Sequence, residues 1–226
     1  ITIMLESLLV YERDFFLWLY GCHSPFFDNF FWAYSGKIAW LPLAVCILFC
    51  LVYKKNWRET ILVLLSIVLV ILMCDQFASH VCKPLFTRFR PTHHPDFMDE
   101  VKTVFGYRGG RYGFISSHAA NAFGFATFLS LLVRNKWLSL SLFLWAIINS
   151  YSRIYLGVHF ISDIVPGALS GLLFGWIGYY SCLRVHSHYF PQSPVISYGK
   201  GRTDAIIVAF LLTHIAIIIY AIIKII

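Results

Sequence analysis

Charged residues are scarce along this chain, and they are separated by apolar stretches long enough to cross a membrane. Of its 226 residues, 59% are hydrophobic and only 13% are charged, whereas a soluble domain carries about 25% charged residues. This composition nearly excludes a soluble globular domain, and it excludes intrinsic disorder, which requires low hydrophobicity. We therefore expect an all-α integral membrane bundle that forms a single domain over residues 1–226.

The apolar stretches predict about six transmembrane helices of roughly 20 residues each. They cover approximately 27–53, 60–82, 118–133, 137–156, 160–182 and 205–226, the last being an additional span at the C-terminal end. The segment 1–22 differs, because Glu12, Arg13 and Asp14 interrupt an aromatic-rich run. A helix that lies in the membrane interface is expected there.

The net charge of +7 has two competing explanations in a membrane protein. One is a set of positive loops facing the cytoplasm, and the other is a site for an anionic substrate. Loops on one side hold eight basic residues, namely Lys54, Lys55, Arg58, Arg134, Lys136, Arg184, Lys200 and Arg202. The positive-inside rule makes that side cytoplasmic. The loop 83–115 then faces outward, and its own six basic residues weaken this argument unless they bind a ligand.

Ionisable residues at membrane depth are costly and usually functional, and two of three such clusters hold cations or hydroxyls suited to an anion. Lys83 and Arg90 are seven residues apart, so a helical segment would place both on one face. Interfacial anchoring of two basic side chains is the stronger explanation for that pair alone. Ser116, Ser117 and His118 precede an apolar helix, where hydroxyls and free backbone N–H groups form either an anion site or a simple N-cap.

The third cluster pairs an imidazole with a carboxylate. Arg153 ends one predicted span, and His159 and Asp163 begin the next at positions i and i+4, which share one helix face. A carboxylate on one ring nitrogen leaves the other nitrogen as a nucleophile or base. The competing interpretation is a structural ion pair.

Together the three clusters predict metal-independent phosphoryl transfer. One histidine would attack phosphorus, the other would protonate the leaving oxygen, and the Lys and Arg side chains would stabilise the equatorial oxygens. No carboxylate cluster for Mg²⁺ is visible, so we expect no metal and no other cofactor.

The spacing of these residues resembles the three-part signature of the type 2 phosphatidic acid phosphatases, the PAP2 superfamily. The signature runs as Lys83-x6-Arg90-Pro91, Ser116-x-His118 and Ser152-Arg153-x5-His159-x3-Asp163, with its core over about residues 80–170. The resemblance implies that His159 is the nucleophile, that Asp163 orients it and that His118 is the general acid. It also implies a phosphate site made by Lys83, Arg90, Arg153 and Ser116, with a backbone contact from Ser117, which stands where the family has glycine.

The same resemblance implies a lipid phosphate as substrate and the bilayer as its surroundings. Undecaprenyl pyrophosphate is the expected substrate, and lipid A and phosphatidylglycerophosphate are the alternatives. A lipid-binding protein on the same scaffold is the non-enzymatic alternative. We expect a multi-pass protein of the bacterial inner membrane with its site facing the periplasm or exterior, and neither a nucleic acid nor an obligatory protein partner.

Glycines recur every four residues in the fifth apolar stretch. Gly167, Gly171 and Gly175 form a small-xxx-small face. Such a face lets a neighbouring helix approach closely, so helix packing is predicted there.

Overall fold

The computed structural model describes residues 2–192 and 198–226, and over these residues the chain is helical without strands. The α-helices are α1 (Thr2–Tyr20), α2 (Pro25–Ser35), α3 (Leu41–Val52), α4 (Trp57–Gln76), α5 (Lys83–Phe86), α6 (Ser117–Val133), α7 (Lys136–Tyr155), α8 (Ile161–Tyr189) and α9 (Lys200–Ile223). A π-helical turn, Phe77–Cys82, joins α4 to α5. The predicted all-α fold is confirmed.

Each apolar stretch of the sequence corresponds to a helix or to a pair of helices. Within the described residues, Trp57–Phe86, Ile161–Tyr189 and Lys200–Ile223 are long and apolar enough to cross a membrane. The first stretch is instead broken, because Pro25–Ser35 and Ile38–Val52 meet at 67° and would count as one further span. Helix α6 has 17 residues and is therefore about 25 Å long, slightly less than a hydrocarbon core of about 30 Å.

The predicted glycine face holds α8 against α6 at the centre of the bundle. A Cβ atom added to Gly171 would lie 2.3 Å from the carbonyl oxygen of Ala120, and one added to Gly175 would lie 2.5 Å from that of Gly124. Only glycine permits backbones to approach this closely. The prediction of helix packing is confirmed, and this contact fixes the start of α6 beside the start of α8.

Helix α1 lies over the beginning of α8. Leu9 and Phe16 are buried, and the Phe16 ring packs edge-on against Phe160 at 5.5 Å between centroids. Of the helices in the described residues, those that are long and apolar enough to span a membrane do not include α1. Its contacts instead connect the N-terminal segment to the turn between α7 and α8.

A long loop, residues 87–116, covers the same end of the bundle. Phe89 and Tyr112 form an isolated antiparallel bridge. The N–H of Arg90 donates to the carbonyl of Arg111 at 3.1 Å, and the N–H of Gly113 donates to that of Arg88 at 2.9 Å. These bonds fold the loop back on itself above the ends of α5, α6, α7 and α8.

Candidate active site

His159 lies in the turn between α7 and α8, fully buried next to Asp163. Its Nδ1 atom is 3.3 Å from Oδ2 of Asp163, and the same oxygen accepts the backbone N–H of Phe160 at 3.0 Å. If Nδ1 carries the proton, Nε2 carries a lone pair. This Nε2 atom is buried and has no hydrogen-bond partner within the described residues. The pair therefore presents an unpaired ring nitrogen to the interior of the site.

Burial and neighbouring cations keep the His159 ring neutral. Burial is the largest effect that lowers its pKa well below 6.5, and the charges of Arg90, Arg153 and Lys83 lower it further. Both effects disfavour the imidazolium form. A neutral imidazole is the form of histidine that acts as a nucleophile.

Arg90 approaches His159 from the loop and not from a helix. Helix α5 ends at Phe86, and Thr87 has a left-handed conformation with φ of 44°. The expected shared helix face with Lys83 is thus wrong. Arg90 is held by its Nε, which donates to the carbonyl of Tyr112 at 3.0 Å, and by its Nη1, which donates to that of Val158 at 3.3 Å.

The start of α6 meets the start of α5 on another side of the site. The Lys83 ammonium donates to the hydroxyl of Ser117 at 3.4 Å and to that of Ser79 at 3.1 Å. Ser116 caps α6, because its hydroxyl accepts the N–H of Ala119 at 3.4 Å. The N–H groups of Ser117 and His118 belong to the first turn of α6 and have no intrahelical acceptor. They are available to an anion.

Arg153 projects from the last turn of α7. It donates to the hydroxyl of Ser35 and to that of Tyr107 at 2.9 Å. Its Nε atom is buried without a partner among the described residues. The guanidinium therefore has a donor left for a ligand.

All eight residues predicted for the site lie at one end of the bundle. The charges of Lys83, Arg90 and Arg153 act on His159, and the same three charges act on His118, as does His159 itself. The backbone N–H of Ser116 donates to the carbonyl of Asp163 at 3.0 Å, which joins the second motif to the third. The three motifs, which lie between positions 83 and 163, thus surround one space.

Sequence reasoning missed a network behind Asp163. Arg88 is buried, and its Nη1 lies 3.0 Å from Oδ1 of Asp163, while its Nη2 lies 3.1 Å from Glu12 on α1. Glu12 also accepts the backbone N–H of Ser162 at 2.7 Å. The sequence carried two signals for this network. One is a third cation, Arg88, between Lys83 and Arg90, and the other is an acidic residue, Glu12, in an apolar helix. Neither indicated which partner it would contact.

An oxyanion beside His159 Nε2 would be surrounded by positive charge and N–H donors. Such an arrangement stabilises the charge that develops on phosphorus oxygens during phosphoryl transfer. The described residues include no group of three or more His, Cys, Asp or Glu side chains that could hold a metal ion. The chemistry that this side-chain set supports is attack by an imidazole on a phosphate.

Known proteins are similar to this chain both in sequence and in fold. A model of the PAP2 superfamily matches residues 62–187. A lipid A 4′-phosphatase of Porphyromonas gingivalis is 44% identical over 189 residues, which are 84% of this chain and 80% of that protein. A lipid A 4′-phosphatase of Bacteroides thetaiotaomicron is 39% identical over 224 residues, which are 98% of this chain and 100% of that protein.

A crystal structure shows the same fold. It is that of a transmembrane PAP2-type phosphatidylglycerolphosphate phosphatase from Bacillus subtilis, with a TM-score of 0.60 and 19% identity. The alignment covers 79% of this chain and 88% of that one. At this identity the match concerns the fold alone, and it agrees with a helical bundle embedded in a membrane.

Proposed function

The chain belongs to the PAP2 superfamily and is a membrane lipid phosphatase, and from this premise we propose that it removes the 4′-phosphate of lipid A. Two relatives support this substrate, since lipid A 4′-phosphatases are 44% and 39% identical to this chain over most of their length. Undecaprenyl pyrophosphate, the substrate expected from the sequence, is less well supported than this alternative.

One observation carries the mechanism: His159 is fully buried, and its Nε2 atom has no hydrogen-bond partner among the described residues. In the first step Nε2 attacks phosphorus, an N–P bond forms, and the P–O bond to the sugar breaks. Asp163 accepts the Nδ1 proton as a hydrogen bond and stabilises the positive charge that develops on the ring. The phosphoryl group is then held on His159.

His118 acts as the general acid that protonates the leaving group. In its protonated form it donates to the departing sugar oxygen, so that the lipid leaves with a free hydroxyl group. The neutral His118 then accepts a proton from a water molecule that attacks the phosphohistidine. The N–P bond breaks, inorganic phosphate leaves, and both histidines return to their initial states.

The negative charge of the phosphate is balanced by side chains. Lys83, Arg90 and Arg153 bind its oxygens, and the first turn of α6 adds the N–H groups that follow Ser116, including that of Ser117. Three cations supply the charge stabilisation that Mg²⁺ supplies in other phosphoryl-transfer enzymes. The reaction is therefore proposed to proceed without a metal or another cofactor.

The orientation of the site follows from charge. The ends of α4, α6, α7, α8 and α9 that lie away from the site carry the eight basic residues of the predicted cytoplasmic loops. By the positive-inside rule, this charge distribution supports a site at the outer face of the bacterial inner membrane. Lipid A with its sugar phosphates in that leaflet would reach His159 from the bilayer.

The test is phosphate release by the purified protein from a panel of lipids. The panel contains lipid A, undecaprenyl pyrophosphate, phosphatidylglycerophosphate and phosphatidic acid, each with and without EDTA. We expect the highest kcat/KM on lipid A, a product that retains the 1-phosphate by mass spectrometry, and equal rates with the chelator. Preference for undecaprenyl pyrophosphate would refute the substrate, and a loss of activity in EDTA would refute the metal-free mechanism.

A further inference from the structure

A cavity of about 900 Å³ leads from the active site into the apolar part of the bundle. His118, Arg153 and Tyr107 contribute to its wall, and these are residues of the site itself. Apart from them and Leu156, which follows α7, the wall comes from α2, from the bend between α2 and α3, and from one face of α9. The cavity thus adjoins the space that receives the phosphate.

Away from the site, the cavity wall is mainly apolar. The bend contributes Ile38, Pro42 and Leu43, and α9 contributes Ala209 and Ala216 among others. The α9 residues of the wall extend from Ala209 to Tyr220, a distance of about 16 Å along the helix axis. Apart from Lys37 of the bend, the charged side chains of the wall lie where the cavity joins the site. An elongated, mainly apolar surface of this kind fits a hydrocarbon chain attached to a phosphate-bearing headgroup.

Most of the cavity wall lies outside the region that the PAP2 superfamily model matches. The matched region covers residues 62–187, whereas the bend and α9 lie outside it. The phosphate chemistry and the apolar wall therefore come from different parts of the chain. Pockets for apolar ligands range from about 300 to 1,000 Å³, so the cavity is large enough for a substantial part of a lipid.

We propose that this cavity holds an acyl chain of the substrate while the phosphate lies against His159. The inference rests on the proposed function in so far as the substrate is an acylated lipid phosphate. Because Arg153 and His118 belong both to the site and to the cavity wall, a chain in the cavity places its own headgroup at the cations. Acylation is then a recognition element, and the bend together with α9 selects the chain.

The kinetic test fills the cavity with larger side chains introduced on α9. Ala216→Trp and Ala209→Trp each add an indole to the wall, and Ile219→Trp and Val208→Trp add one to the exposed lipid-facing side of the same helix. We compare kcat/KM for lipid A with kcat/KM for the same molecule after complete removal of its acyl chains. The cavity variants should lower this ratio by about tenfold or more, and the matched controls should keep it within about twofold of the wild type. An unchanged ratio in the cavity variants overturns the inference.

A binding measurement separates this inference from the proposed substrate. The inactive His159→Gln variant is irradiated with a phosphatidic acid that carries a diazirine on one acyl chain, and the adducts are mapped by mass spectrometry. We expect adducts on residues 36–43 and 209–217, and we expect Ala216→Trp to remove them. Equal labelling by a diazirine phosphatidylcholine, or labelling confined to residues such as Ile219, overturns the inference. Cavity adducts without turnover of lipid A would leave the inference standing and refute the proposed function.

Discussion

Asp163 lies with its Oδ1 atom 3.0 Å from Nη1 of Arg88, and both side chains are buried, with exposures of 0% and 1%. The carboxylate therefore lies between the Arg88 guanidinium and the imidazole of His159, which its Oδ2 atom faces. Arg88 in turn contacts Glu12 of α1 at 3.1 Å. The orientation of the proposed nucleophile thus depends on a chain of charges that begins in the N-terminal helix.

Removal of the Arg88 charge should destabilise the fold. Arg88→Met leaves the Asp163 carboxylate buried without its cation, which costs about 3–5 kcal/mol. The matched control is Arg13→Met, since the Arg13–Glu100 pair is exposed, with side-chain exposures of 42% and 47%, and surface pairs contribute about 0–1 kcal/mol. Unfolding in detergent measures both variants. Equal losses in the two variants would contradict a dominant role for the buried pair.

Substitution of His159 should remove the reaction but not the fold. His159→Gln deletes the nucleophile and retains a group that can donate to Asp163. We expect turnover to fall by at least about 10³-fold, with the midpoint of thermal unfolding not lowered relative to the wild type. Rapid acid or base quenching with ³²P-labelled substrate should show a phosphoprotein in the wild type and none in the variant. Turnover at the wild-type rate would refute the assignment of the nucleophile.

The buried His159 ring should make stability depend on pH. Its pKa in the folded protein lies below the ordinary value of 6.5, so below that pH the unfolded chain binds a proton that the folded protein does not. Stability is therefore fully present above the ordinary pKa and is lost as the pH falls below it, by up to about 1.4 kcal/mol per pH unit. Unfolding titrations between about pH 7.5 and pH 5.5 should give a shallower pH slope for His159→Gln than for the wild type. Parallel slopes would show that His159 is not the group responsible.

The helices and the residues of the candidate site could be predicted from sequence because both depend on local patterns. Apolar runs identified the helices, and fixed spacings identified the histidines and cations. The bend after Ser35 was not predicted, because residues 27–53 form one mainly apolar stretch in the sequence; across the bend, the indole N–H of Trp40 donates to the carbonyl of Tyr34 at 2.7 Å. This bond satisfies a backbone group that a straight helix would have satisfied itself.

The network behind Asp163 could not be predicted for a related reason. Glu12 and Arg88 are separated by 76 residues, and nothing in the local pattern of either segment pairs them. The position of Arg90 also depends on a single residue, since the left-handed conformation of Thr87 ends the helix before it. Local patterns identify which side chains are costly in a membrane, whereas the partner of each is decided by how the helices pack.

The glycine face of α8 should not tolerate even one methyl group. In Gly171→Ala the new Cβ would lie 2.3 Å from the carbonyl oxygen of Ala120 and 2.9 Å from the amide nitrogen of Gly124. Both are backbone atoms, so the helices must separate, and overpacking of this kind costs about 1–3 kcal/mol. The control is Gly201→Ala in α9, where a Cβ meets nothing within 4 Å. Unfolding midpoints in detergent should fall for the first variant only, and equal midpoints would contradict the close α6–α8 contact.

The orientation of the site can be measured with a cysteine that the chain already contains. Cys22 is exposed, whereas Cys50, Cys74, Cys82 and Cys182 are buried and Cys46 is partly buried. Cys22 lies at the site end of the bundle, because the adjacent His23 contacts Asp28 at 2.7 Å. Asp28 accepts the hydroxyl of Tyr155, in the last turn of α7, at 2.7 Å. If the site faces outward, a membrane-impermeant maleimide should label intact spheroplasts, and Cys22→Ser should remove that label. Labelling of inverted vesicles but not of spheroplasts would place the site at the cytoplasmic face.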